Sequence, residues 1–254
     1  MIKVVCIFLL FCAAQMIAIL LAFVFSGPMV TEQLMAGQFP QLMPSNYGLS
    51  LLFCEILLSL LLWRYLRRET SLSPSSLLTG NMRLRQLSAV AGVPVLNLGL
   101  SFLLSPFDMD DLGVEAIFSE MITNPFCLLL LCVVGPLTEE IVFRSGMLRL
   151  MRLTGLSSFL AASGSAMAFA VVHGNLVQAV PALLVGILLG YLYLRTGNLK
   201  LCLPAHIANN TIAVLIMAIP AAQQMTDELG TGLLLLLGSL YVLLGLALSW
   251  RALK

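Results

Sequence analysis

Charge is what this sequence has least of. Of its 254 residues only 10% are Asp, Glu, Lys or Arg, while 60% are hydrophobic, and mean hydropathy is +1.02. Soluble domains carry about 25% charge and roughly 45–50% apolar residues. The surplus of apolar side chains therefore has to face lipid or other helices. A net charge of +1 offers no basic footprint, which excludes nucleic acid as a partner. The six cysteines (Cys6, Cys12, Cys54, Cys127, Cys132, Cys202) lack CxxC spacing and sit in apolar runs, so they read as small hydrophobes. HExxH and GxSxG are both missing, which removes the usual zinc-protease helix and the serine nucleophile elbow.

What is present is a series of long apolar runs. A spanning helix needs about 20 mainly apolar residues, and candidates lie at 4–25, 48–66, 87–104, 126–148, 157–174, 177–194, 199–219 and 232–249. None alternates with period two, and lipid demands that backbone groups be satisfied within each segment. The expectation is an all-α polytopic membrane bundle of about eight transmembrane helices. The first run is too long for a signal h-region and is read as a retained span. The chain reads as a single membrane domain: spans 1–3 with an acidic loop over 1–125, a motif-bearing core over 126–219, and a last span over 220–254.

Basic residues are absent from the loops 26–47, 105–125 and 220–231. Those loops hold Glu32, Asp108, Asp110, Asp111, Glu115, Glu120, Asp227 and Glu228, while Lys3, Arg64, Arg67, Arg68, Arg83, Arg85, Arg149, Arg152, Arg195, Lys200, Arg251 and Lys254 lie on the other side. The positive-inside rule then predicts that both termini are cytoplasmic. In the 105–125 loop, Leu112, Ala116, Ile117 and Met121 recur at helical spacing, which suits a short interfacial helix or a solvated acidic loop.

Ionisable groups inside spans are costly and mark function or a buried pair. They are few: Glu55, Glu139, Glu140, Arg144, His173 and His206, with Asn97, Asn209 and Asn210 adding neutral polarity. Both histidines of the chain fall in this set. Glu140 and Arg144, four apart, share a helix face, whereas Glu139 is offset by about 100°. Phe169 and His173, and His206 and Asn210, have the same four-residue spacing. Two carboxylates with one arginine leave a negative charge that something must satisfy. Glu55 is isolated and reads as a bland polar contact. Gly186 and Gly190 read as helix packing, as does Ser163-Gly164-Ser165.

The three segments TEEIVFRSGML, FAVVHGN and HIANN, about 33 residues apart between their key positions, resemble the motifs of the CPBP family. That family comprises CAAX prenyl-protein endopeptidases and bacterial relatives linked to bacteriocin processing and immunity. The resemblance covers roughly residues 126–216. It implies an integral, multi-pass protein of a bacterial plasma membrane that hydrolyses a peptide bond of a membrane-associated protein or peptide. Glu139, Glu140, His173, His206 and Asn210 are the implied catalytic set, with Arg144 and Phe169 in support. Glu139 is the first choice for activating water, because Glu140 is better placed to hold Arg144, and Asn210 suits oxyanion donation.

A divalent metal, zinc foremost, held by His173, His206 and Glu139 is one expectation, and a metal-free glutamate–histidine pair is the other. A silent scaffold or immunity protein, or a transporter or proton pathway, would be the alternatives in function. The drawn spans put Glu139 and His206 about 10 Å from the cytoplasmic edge and His173 near the far side. For the three to meet, span 5 has to tilt, shift or start later than drawn.

Overall fold

The structure is a computed structural model that describes residues 1–27, 45–70, 83–107, 109–219 and 228–253. Among the described residues all regular elements are helical: α1 (Ile2–Ser26), α2 (Ser45–Thr70), α3 (Leu87–Leu104, entered through a single 3-10 turn), α4 (Val114–Met121), α5 (Pro125–Leu153), α6 (Ser158–Val171), α7 (Leu176–Thr196), α8 (Cys202–Met217) and α9 (Thr231–Leu253). Six of them are long and apolar enough to cross a membrane. The two shorter apolar helices are α6 and α8. Together these correspond to the eight apolar runs, and the bundle is polytopic and all-α as expected. Outward faces such as Leu9, Leu20, Phe53, Leu60, Leu236 and Leu243 are exposed, which suits a lipid solvent. All six cysteines are free; Cys54, Cys127 and Cys202 are buried, but Cys6 is exposed on the lipid-facing surface.

Small residues set the closest packing. A Cβ added at Gly99 would meet Val242 N at 2.6 Å and Gly238 O at 2.8 Å, so α3 and α9 touch backbone to backbone. Gly186 and Gly190 of α7 lie against Ala166 and Ala162 of α6, the packing role their spacing suggested.

The segregation of charge along the chain is also a segregation in space. Lys3 Nζ pairs with Glu69 at 2.7 Å, Ser88 Oγ donates to the Leu248 carbonyl at 2.7 Å, and Arg195 Nη2 donates to the Leu253 carbonyl at 2.9 Å. One hydrophobic cluster joins Val4, Leu66, Ala89, Met151, Leu192 and Ala252 next to these contacts. The basic residues thus gather at one end. At the other, Asn46 Nδ2 donates to the Ser26 carbonyl at 3.0 Å, and the acidic segment forms α4. Ala116, Ile117 and Met121 lie on that helix; Leu112 precedes it, at φ 59°. Glu32, Asp108, Asp227 and Lys254 lie outside the described residues.

Two helix ends differ from the sequence reading, and they place the site. α5 continues to Leu153 rather than stopping near 148, so Glu139 is 14 residues from its end. α6 stops at Val171, and Gly174 turns the chain at φ 76° before Asn175 caps α7 through Gln178 N at 2.9 Å. His173, two residues past the end of α6, borders the same cavity as Glu139. Span 5 ends earlier than drawn, at Val171, and the turn after it brings His173 to that cavity. Leu199 and Leu201, before α8, are 1% and 0% exposed, so α8 begins inside the protein and carries His206 inward from its first turns.

Candidate intramembrane site

α5 is not a uniform α-helix. It is wound as π-helix over Leu130–Val134 and Glu140–Leu148, with α-helical turns between and at both ends. Pro136 is one cause: it has no N–H, and the Gly135 N–H reaches back five residues to the Leu130 carbonyl. The Leu131 carbonyl, whose five-residue partner would be Pro136, accepts instead from Asn210 Nδ2 at 3.1 Å. Ser165 Oγ likewise donates to the Phe143 carbonyl at 2.6 Å in the second π stretch. Side chains from α6 and α8 thus supply hydrogen bonds to the wide helix.

At the join between windings lie Glu139 and Glu140. Glu140 and Arg144 are both 0% exposed, with Arg144 Nε 3.4 Å from Glu140 Oε2. Arg144 also stacks over Phe169, its guanidinium carbon 4.8 Å from the ring centroid, and donates through Nη2 to the Gly186 carbonyl at 3.3 Å. A Cβ at Gly186 would meet Ala166 and Phe169 at 3.1 and 3.2 Å, so the glycine keeps α7 close to the ring under the guanidinium. The pairing of Glu140 with Arg144 is the one the four-residue spacing indicated. Glu139 does not simply point elsewhere, however. His206 lies between the two acids, with Nδ1 2.8 Å from Glu140 Oε1 and Nε2 3.5 Å from Glu139 Oε2. The wide winding brings neighbouring carboxylates to opposite nitrogens of one imidazole. Glu139 keeps 23% of its side chain open, whereas Glu140 keeps none.

Phe169 is the centre of the aromatic packing. Its ring meets the edges of His173 at 4.8 Å, His206 at 5.6 Å and Phe143 at 5.3 Å between centroids. His173 Nδ1–H donates to the Phe169 carbonyl at 2.8 Å, since a carbonyl can only accept, and in the neutral ring Nε2 is then the acceptor. Asn209 Nδ2 donates to Asn210 Oδ1 at 3.3 Å, so one N–H of the Asn210 amide stays uncommitted after the bond to Leu131.

Two cavities meet here. One, about 310 Å³, is bordered by Asn97, Ser101, His206 and Asn209; the other, about 640 Å³, by Phe11, Glu55, Thr138 and Glu139. His173, Gln178 and Asn210 border both. The anticipated residues thus converge from α5, the α6–α7 turn and α8. Glu55, a bland polar contact by sequence, shares the larger cavity with Glu139. Gln15 and Gln178 were not singled out; a lone glutamine in an apolar run was the available signal.

A hydrolytic zinc site needs three protein ligands and an open position. Among the described residues no group of three His, Cys, Asp or Glu converges as metal ligands would. Glu139 and His206 Nε2 make two, and the set is one ligand short of that fit.

Residues 122–212 match the family described as Rce1-like, type II CAAX prenyl endopeptidase Rce1-like, a stretch that contains all three motifs. A protein of Bacillus subtilis (strain 168) named "Putative membrane peptidase YdiL" is 26% identical over 130 residues, which are 51% of this chain and 52% of that protein. The chain therefore spans about half the length of the curated relative it matches. No solved structure matches it.

Proposed function

Because the motif-bearing core of this chain belongs to the CPBP family of CAAX-protease relatives, we propose that the protein is an intramembrane endopeptidase that hydrolyses a peptide bond of a membrane-associated polypeptide. The observation that carries this reading is the imidazole of His206 held between two carboxylates, one sealed and one open to a cavity. The basic end of the bundle is then cytoplasmic, with both termini on that side.

Glu139 is the general base. A water in the larger cavity loses a proton to its carboxylate as the oxygen attacks the scissile carbonyl carbon, with His173 Nε2 accepting the water's second hydrogen bond. The negative oxygen of the tetrahedral intermediate receives the free N–H of Asn210. On collapse the C–N bond breaks and the proton held by Glu139 passes to the departing amine. Glu140 and Arg144 are positioning residues that fix the His206 imidazole. No step needs a metal, and protein stripped with a strong chelator should retain full turnover; lost activity restored by zinc would contradict that chemistry.

The function itself is tested by comparing membrane polypeptides from cells producing wild-type or Glu139→Gln protein. New chain termini should accumulate only with the wild type, and their uncut parents only with the variant. Identical sets of termini would overturn the assignment.

A further inference from the structure

The larger cavity has a wall that the chemistry above leaves unused. α1 and α2 line it with Phe11, Ala18, Ile19 and Leu51, and Glu55 is the one charged group they add. Glu55 is only 4% exposed. Both donors that reach it, Gln15 Nε2 at 2.8 Å and Ser59 Oγ at 3.4 Å, meet Oε1; among the described residues none meets Oε2. The serine contact is also weak. Ser59 lies closer to Thr138 Oγ1, at 2.8 Å, and the threonine proton goes to the Val134 carbonyl at 2.9 Å. The single hydroxyl proton of Ser59 therefore serves Thr138, and Glu55 keeps one good neutral donor.

A carboxylate within a spanning bundle needs a cation or a full set of donors. Among the described residues no Lys or Arg borders this cavity, and the fully buried Arg144 is taken by Glu140. Glu139 adds a second carboxylate to the same space. Apolar walls with two acids complement a long hydrocarbon stem that ends in a positive charge.

We propose that Glu55, positioned by Gln15, is a specificity-determining residue that receives a cationic side chain, lysine or arginine, of an otherwise apolar polypeptide substrate. The word substrate rests on the endopeptidase reading; the binding does not.

The test uses the full-length protein in lipid nanodiscs and two labelled synthetic peptides. Both are Leu/Ala-rich; one carries a central lysine, the other norleucine, which keeps the stem and drops the charge. Wild type should bind the lysine peptide at least about tenfold more tightly, against the peptide's own preference for lipid. Glu55→Gln should erase that preference, leaving norleucine-peptide binding intact, and Gln15→Leu should reduce it. Equal binding of both peptides by wild type, a measurement that needs no variant to fold, would overturn the proposal, as would a preference that survives Glu55→Gln. Cleavage is scored separately. A lysine preference without cleavage of any polypeptide sinks the peptidase reading alone, and cleavage without preference sinks this inference alone.

Discussion

The α3–α9 pair and the α5–α8 centre are both tightly packed, but by opposite means. Between α3 and α9, Gly92, Gly99, Gly238 and Gly245 bring two backbones together with almost no polar side chain involved. In α5 the backbone is loosened into π turns, Asn210 of α8 and Ser165 of α6 donate to its carbonyls, and Arg144 ties it to the Gly186 carbonyl of α7. The first arrangement is a structural clamp that works by shape. The second places two acids, two histidines and an amide around one point, and it depends on every polar partner being present. Changes in the first region should alter stability without altering chemistry, and changes in the second should alter both.

The largest stability effect is expected at Arg144. Arg144→Ala leaves Glu140 buried without its guanidinium and empties the space over Phe169, so thermal unfolding in detergent should show a loss of roughly 3–5 kcal/mol together with lost turnover. Arg144→Lys, which lacks the planar fork, should recover only part. An Arg144→Ala protein as stable as wild type would blur the contrast between the two regions.

Overpacking the clamp comes next. Gly99→Leu forces atoms into Val242 and Gly238 and should cost about 1–3 kcal/mol, while turnover per folded molecule stays at the wild-type value. A specific loss of turnover would mean that the clamp shapes the site.

Asn210→Ala belongs to the centre but removes one amide only. The unmet Leu131 carbonyl should lower stability by about 1–3 kcal/mol, and loss of an oxyanion donor should slow turnover about 10²–10³-fold. Single-turnover cleavage and a melting curve on the same sample separate the two effects.

How much of this was visible beforehand follows from the same contrast. The apolar runs are continuous, so the helices were legible to within a few residues, and the scarcity of charge made Glu139, Glu140, Arg144, His173 and His206 stand out. What stayed hidden depends on winding and on residues brought from other helices. A carboxylate offset of about 100° assumes an ideal helix. The π turns around Pro136 and Glu140 changed that phase, so both acids reach His206. The depth of His173 depended on where α6 ends, and Gly174, which turns the chain there, gives no measure of depth by itself. Glu55 looked isolated because Gln15 and Thr138 come from other helices, and Ser59, four residues on in its own helix, hands its proton to Thr138.

The smallest effect is expected outside both regions, at the acidic end. The backbone N–H groups of Glu115 and Gly113 hold the Asp111 carboxyl below its usual range. A depressed folded-state pKa means that this contribution is present above the unfolded value and fades as pH falls through the folded one. Hydrogen exchange in α4 should therefore quicken on acidification below about pH 4, and Asp111→Asn should remove that dependence without touching turnover. Unchanged pH dependence in the variant would assign it to another group.

The central claim is a division of labour between adjacent glutamates: Glu139, open to the cavity, acts on water, and Glu140, sealed with Arg144 and His206, holds the site. Its most direct test is single-turnover cleavage and thermal unfolding measured side by side on Glu139→Gln and Glu140→Gln, with a polypeptide identified from the terminus comparison. Glu139→Gln should melt like wild type while cleavage falls by at least about 10³-fold, and Glu140→Gln should lose cleavage together with several degrees of melting temperature. Wild-type cleavage by Glu139→Gln, or the two phenotypes exchanged, would contradict the account.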